Sequence, residues 1–97
     1  MKTYNYNGRK VVLEKTTYRN NGTLALFMKT TDGNLFGTVT VNLYHPLQSY
    51  SMAFLDENNL PGIGKWIEEN GLGINMGVHG CSGFFRYPLY TIFYEKM

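Results

Sequence analysis

With 97 residues the chain is long enough for one domain and too short for two, and its 43% hydrophobic content is that of a folded protein rather than a disordered one. The net charge of +2 excludes the acidic surface of a nucleic-acid mimic and falls short of the basicity of a dedicated duplex binder. A lone cysteine, Cys81, excludes an intramolecular disulfide and with it the small stapled scaffold of a secreted mini-protein.

Three dipeptides punctuate the first half: Asn7-Gly8, Asn21-Gly22 and Asp32-Gly33. Each stands between β-prone runs, where Asn-Gly or Asp-Gly favours the positive φ angles of a two-residue type I′ hairpin. Strands are therefore predicted near 2–6, 10–19, 23–30 and 35–43. In the fourth, Leu35, Gly37, Val39, Val41 and Leu43 alternate against Phe36, Thr38, Thr40 and Asn42, the pattern of a sheet with one buried face. Residues 44–50 read as a loop, because Pro46 disfavours helix at His45 and lacks a backbone donor.

A fifth strand is expected over 51–55, then a helix at about 60–70. Asn59 is its expected N-cap, Pro61 fits the first turn, and Asn70-Gly71 ends it through a left-handed glycine. Leu60, Ile63, Trp66 and Ile67 form its apolar stripe, with Trp66 as the expected anchor. Residues 71–83 hold five of the eleven glycines and read as an irregular connector or a bulged edge strand. Tyr87 to Tyr94 is apolar on both faces, as in a central strand, with Pro88 expected at its start. The fold predicted is α+β: one domain over 1–97, an antiparallel meander of five or six strands with one helix packed on it.

Charge and aromatics are distributed unevenly. Residues 1–29 carry six basic side chains against Glu14 alone; residues 30–97 carry three against six acidic ones. Such bipolarity can orient a partner, or simply reflect lysine on hairpins and glutamate on an exposed helix face. Aromatics make up 15% of the chain, and eight are tyrosine, which suits half-buried strands and contact surfaces. The first residues offer no apolar stretch for a signal peptide, and the longest apolar run, Leu24 to Met28, is far shorter than the roughly 20 residues a bilayer-spanning helix needs. Without a secretion signal, the glycosylation pattern Asn21-Gly22-Thr23 reads as a turn. A cytoplasmic location is the expectation.

Catalytic patterns are weak. His79 and Cys81, two apart in extended chain, face one side and could make an imidazole-activated thiolate. No orienting group accompanies them, and the flanking glycines make a loose platform. Two histidines and one cysteine do not complete a zinc site, and Asp56 and Glu57 lack ligand spacing. Gly71-x-Gly73-x-x-x-Gly77 misses the dinucleotide fingerprint by one residue, and no Gly-Lys-Ser/Thr follows. No enzyme activity, cofactor or metal is expected.

Two binding readings remain. Aromatic and arginine side chains are enriched at protein contact hot spots, which marks Phe85, Arg86 and Tyr87 after Phe84, and the tyrosine-flanked loop between Tyr44 and Tyr50. The alternative for Phe84 and Phe85 is that they straddle the sheet, one of them in the core. The other reading is a single-stranded nucleic-acid or nucleotide binder: Tyr6, Arg9, Lys10, Tyr18 and Arg19, with Tyr4 and Lys15, interleave cations with rings that could stack on bases. Several of these tyrosines could equally cover the core of the same hairpins. A glycine-rich edge over 71–83 could also pair with a second copy of the chain.

Leu55-Asp56-Glu57-Asn58-Asn59-Leu60-Pro61-Gly62, Trp66-Ile67-Glu68-Glu69-Asn70-Gly71-Leu72, Ser82-Gly83-Phe84 and Tyr87-Pro88-Leu89-Tyr90 resemble a family of small proteins with a domain of unknown function. With Asn7-Gly8 and the Thr38 to Leu43 strand, the resemblance covers nearly the whole chain. It implies cargo of conjugative elements and prophages of gut bacteria, mostly Gram-positive, and provides no catalytic motif to carry over. In that setting small accessory proteins often inhibit host defence systems, such as CRISPR–Cas nucleases, by binding them. The function expected is thus non-enzymatic binding of a host protein or nucleoprotein complex.

Overall fold

The computed structural model describes residues 2–19, 22–43 and 51–97. Strands β1 (Tyr4–Tyr6) and β2 (Arg9–Thr17) join through Asn7 and Gly8, whose φ angles of 50° and 82° are the paired positive values of a type I′ turn. β3 (Leu24–Thr30) and β4 (Leu35–Thr38) complete an antiparallel sheet in the order β1-β2-β3-β4.

The other two expected two-residue turns are wider. Between β3 and β4, Gly33 N–H donates to the Thr30 carbonyl (3.0 Å) and Thr30 N–H to that of Asn34 (2.8 Å), with Gly33 at φ 92°. This is a three-residue loop ending in a left-handed glycine. Asp32 stiffens it by accepting from the Thr30 hydroxyl and the Asn34 amide. Between β2 and β3, Tyr18 N–H donates to the Thr23 carbonyl and Gly22 N–H to that of Tyr18, both at 2.8 Å. Asn21 lies outside the described residues.

The single five- or six-stranded meander is not formed; the described residues make two four-stranded antiparallel sheets. The second comprises β5 (Thr40–Val41), β6 (Met52–Leu55), β7 (Gly73–Ser82) and β8 (Phe85–Ile92), ordered β5-β6-β8-β7. The chain changes sheet at Val39. Its N–H donates to Leu26 of the first sheet and its carbonyl accepts from Asp56 beside the second, each at 2.8 Å. Thr40 then turns inward, and its hydroxyl takes the Leu26 N–H at 3.1 Å. Buried Val39 and Thr40 therefore follow one another, and the period-two pattern predicted over 35–43 breaks there; Leu35, paired with Lys29 beyond a register shift at Met28/Lys29, is also exposed rather than buried.

Helix α1 (Ile63–Glu69) begins later than expected, and Asn59 does not cap it. Asn59 is held instead by Asp56, which accepts its backbone N–H (3.1 Å) and its amide (2.8 Å). Gly62 turns the chain at φ 84°, so the Glu57 carboxylate reaches the N–H groups of Gly62 (2.8 Å) and Gly64 (2.7 Å). Those donors would otherwise be orphans of the first turn. The other end matches the expectation. Leu72 N–H donates to the Ile67 carbonyl and Gly71 N–H to that of Glu68, a Schellman closure around left-handed Gly71.

Both sheets and the helix meet in one core, with Val11, Leu26, Met28, Val39, Leu55, Ile63, Ile67, Tyr90 and Ile92 at its centre. Ile63 and Ile67, not Trp66, occupy the middle of the helix contact. Trp66 is half-buried and clamps β1, edge-on to Tyr4 and Tyr6, with its indole N–H donating to the Asn5 carbonyl at 2.7 Å. Among the described residues no helix is long and apolar enough to cross a membrane.

Candidate functional site

β8 lies between β6 and β7 for only part of its length. Met52, Ala53 and Phe54 pair with Thr91, Tyr90 and Leu89; beyond Leu89 the strand keeps β7 as its one partner among the described residues. His79–Pro88, Gly80–Tyr87, Cys81–Arg86 and Ser82–Phe85 thus form a two-stranded ribbon running past the sheet. Residues 71–83 are accordingly a bulged edge strand rather than a connector. Gly77, at φ 82°, absorbs the register shift between Asn75 and His79. Pro88 sits inside β8, not at its start, next to this bulge and past the last β6 pair, where a missing N–H is tolerated.

The ribbon turns at Gly83-Phe84. Gly83 has φ 60° at the first central position, as in a type II′ turn. Phe84 is consequently thrust wholly into solvent, at 103% relative exposure, and Phe85 is 49% exposed. Neither is in the core, so the straddling alternative does not hold. Arg86 projects beside them as the one Asp, Glu, Lys or Arg between residues 70 and 94. The base is fixed more firmly. A Cβ on Gly80 would fall 2.7 Å from both Leu43 and Phe54, so the backbone there is seated against side chains of the sheet.

Of the residues singled out for protein contact, the structure brings Phe85, Arg86 and Tyr87 together. Tyr87 is a support: it is 9% exposed, with its ring 6.5 Å from that of Phe85 at 42°. Tyr44 and Tyr50 lie outside the described residues. Sequence reasoning passed over Ile74, Met76 and Val78, which β7 leaves exposed on the sheet edge. It also ranked Phe84 below its neighbours, although Gly-X between β-prone runs is itself a hairpin signal.

The residues considered for nucleic acid divide. Tyr6 is 4% exposed, edge-on to Phe36 (5.8 Å) and Trp66 (5.5 Å), so its ring faces serve the core. The Tyr18 hydroxyl is bonded to Thr40 Oγ1 at 2.9 Å. Arg9 lies over Phe36, 5.3 Å from the ring centroid, and with Lys10 and Asp32 lines an open depression of about 850 Å³. Tyr18 and exposed Arg19 follow the far end of β2, about 27 Å along an extended strand from Arg9. Lys15 is engaged with the C-terminal turn, donating to the Tyr94 carbonyl at 2.8 Å.

Burial, and secondarily the nearby Glu57 carboxylate, raises the Tyr6 hydroxyl above its ordinary 10.0. Burial, then Glu68, does the same for Tyr90. The unfolded chain ionises both at lower pH than the fold does, so their contribution is intact below pH 10.0 and is lost as pH rises through the folded values. Thermal melts should therefore be level up to about pH 9.5 and fall above 10, with a shallower fall for Tyr90→Phe. An equal slope in that variant would remove Tyr90 from the account.

His79 and Cys81 share a face of the ribbon, Cys81 opposite Arg86 and exposed as a free thiol. Among the described residues no three His, Cys, Asp or Glu side chains cluster as metal ligands do.

Fold and ribbon together define a small two-sheet α+β domain that displays an apolar hairpin tip. The profile of a domain of unknown function, DUF4313, matches residues 12–97, and the chain belongs to that family. No curated protein and no solved structure matches it.

Proposed function

We propose that this protein is a non-enzymatic binding protein that inserts the Phe84-Phe85-Arg86 tip into an apolar pocket of a host protein. The setting proposed is the cytoplasm of a bacterium carrying a conjugative element or phage, and the partner a defence complex such as a CRISPR–Cas nuclease, which binding inhibits. The observation that supports this reading is the wholly exposed Phe84 on a seated ribbon. A solvent-exposed aromatic beside a second aromatic and an arginine has the composition of a contact hot spot.

Phe84→Ser should weaken partner binding by about 2 kcal/mol, roughly 30-fold, with an unchanged melting temperature. Parallel pull-downs of wild type and variant from host lysate, followed by affinity measurement on the recovered partner, test this. Equal recovery by both proteins counts against the tip. Expression in a strain with an active CRISPR–Cas system should raise the survival of a targeted plasmid, and no rise counts against the defence-inhibitor part.

A second reading has its own observation. Arg9, Lys10 and the Phe36 ring border one open depression, a cationic rim beside an aromatic face. It proposes a single-stranded nucleic acid or a nucleotide as ligand. Oligonucleotide affinity would then fall steeply with salt and be lost in Arg9→Ala/Lys10→Ala.

A further inference from the structure

We infer that the protein pocket receiving the Phe84-Phe85 tip carries a carboxylate on one side of its rim, placed to meet Arg86. The inference rests on the tip being the binding site and adds the chemistry of its partner. In an antiparallel ribbon, cross-strand pairs share a face, and so do residues two apart along a strand. Arg86, opposite Cys81, therefore shares its face with His79, whereas Gly80, Phe85 and Tyr87 lie on the other. That other face is the seated one, where Tyr87 is buried and a Cβ on Gly80 would meet Leu43 and Phe54. The face of Arg86 is open: His79, Cys81 and Arg86 are all exposed.

The charge on this open face is unopposed. Arg86 is the one Asp, Glu, Lys or Arg between residues 70 and 94, so the ribbon itself holds no carboxylate for it. Among the described residues its guanidinium makes no hydrogen bond or ion pair. A partner can therefore engage it without breaking a bond inside this chain. Arg86 stands roughly 7 Å from Phe84 along the strand, so it meets the rim of the pocket rather than its floor. Docking the two rings strips water from the guanidinium beside them, which costs affinity unless an opposite charge replaces that water. A planar guanidinium fork matches a carboxylate through two parallel hydrogen bonds. The two rings thus call for an apolar pocket, and Arg86 for an acidic side to it.

The test takes the protein that wild type recovers from nuclease-treated host lysate and measures its dissociation constant for each variant across a range of salt. Arg86→Gln should raise the constant about 10-fold and Arg86→Glu about 100-fold, with wild-type melting temperatures. Arg86→Lys should fall between wild type and Arg86→Gln, because it keeps the charge and loses the fork. Added salt should weaken wild-type binding and leave Arg86→Gln nearly level. If Phe84→Ser weakens binding while Arg86→Glu binds like wild type, the tip stands and the acidic rim is overturned. If Phe84→Ser binds like wild type, or no protein is recovered, the tip reading falls and the rim with it. Arg86-dependent capture that disappears on nuclease treatment would assign the guanidinium to phosphate and overturn the carboxylate.

Discussion

Gly73→Ala is expected to lower the unfolding free energy by about 3 kcal/mol, although alanine is the smallest side chain that can be added. Gly73 opens β7 opposite Ile92 and lies under the helix. A Cβ there would fall 2.6 Å from the Thr91 carbonyl oxygen and 2.8 Å from Ile67 Cγ2. Neither neighbour can retreat cheaply. The first is backbone of central strand β8, and the second belongs to a fully buried side chain in the middle of the helix contact. Against this, alanine recovers only some 0.5–1 kcal/mol by restricting the unfolded chain. The clash therefore decides the sign. For a domain of this size the loss corresponds to a melting temperature lower by roughly 15 °C. A melt within about 3 °C of wild type would show that the helix and β8 separate more easily than these distances imply. The binding proposed for the tip should be unchanged in the remaining folded fraction, because Gly73 is at the opposite end of β7 from it.

The features legible in the residues were those a local backbone angle or strand pattern demands, and the rest depend on tertiary contacts. Asn7-Gly8 was legible because a type I′ turn demands two positive φ angles, which few other dipeptides accept. Asn70-Gly71 was legible as the helix end for a similar reason, and the prediction of a central last strand followed from apolar residues on both its faces. The division into two sheets was not. It depends on the Thr40 hydroxyl occupying a donor that Leu26 would otherwise direct to a strand, and a threonine inside a clean alternation carries no mark of that task. The start of the helix was misplaced because Asn59 is a good cap by type, whereas Glu57 becomes the cap only once Gly62 has bent the chain back over it. At the candidate site, Phe85 and Arg86 stood out by residue type. Tyr87 could not be separated from them, since its burial follows from where the ribbon leaves the sheet. The edge stripe of β7 escaped notice because glycine spacing conceals that Ile74, Met76 and Val78 are exposed together.

Gly64→Ala should also destabilise, and here the sign runs against helix propensity. Inside a helix alanine is usually favoured over glycine by about 1 kcal/mol. At Gly64 the added Cβ would lie 2.4 Å from the Tyr90 hydroxyl, 2.8 Å from Tyr90 Cζ and 2.8 Å from Glu57 Oε2. Tyr90 is buried in β8 and Glu57 is tied by its bonds to Gly62 and Gly64, so relief requires moving the ring or releasing the cap. The net expectation is a loss of about 2 kcal/mol, read as a lower urea midpoint at constant m. Tyr90→Phe removes the nearest atom while keeping the ring. The double variant Gly64→Ala/Tyr90→Phe should then be more stable than the two single losses predict, by about 1 kcal/mol. Additive losses would mean that the cost arises at Glu57 instead, through disruption of the cap. A stabilised Gly64→Ala would mean that the helix sits farther from β8 than the structure places it. The cycle thus measures how tightly α1 holds the strand whose far end carries the exposed Phe84 tip.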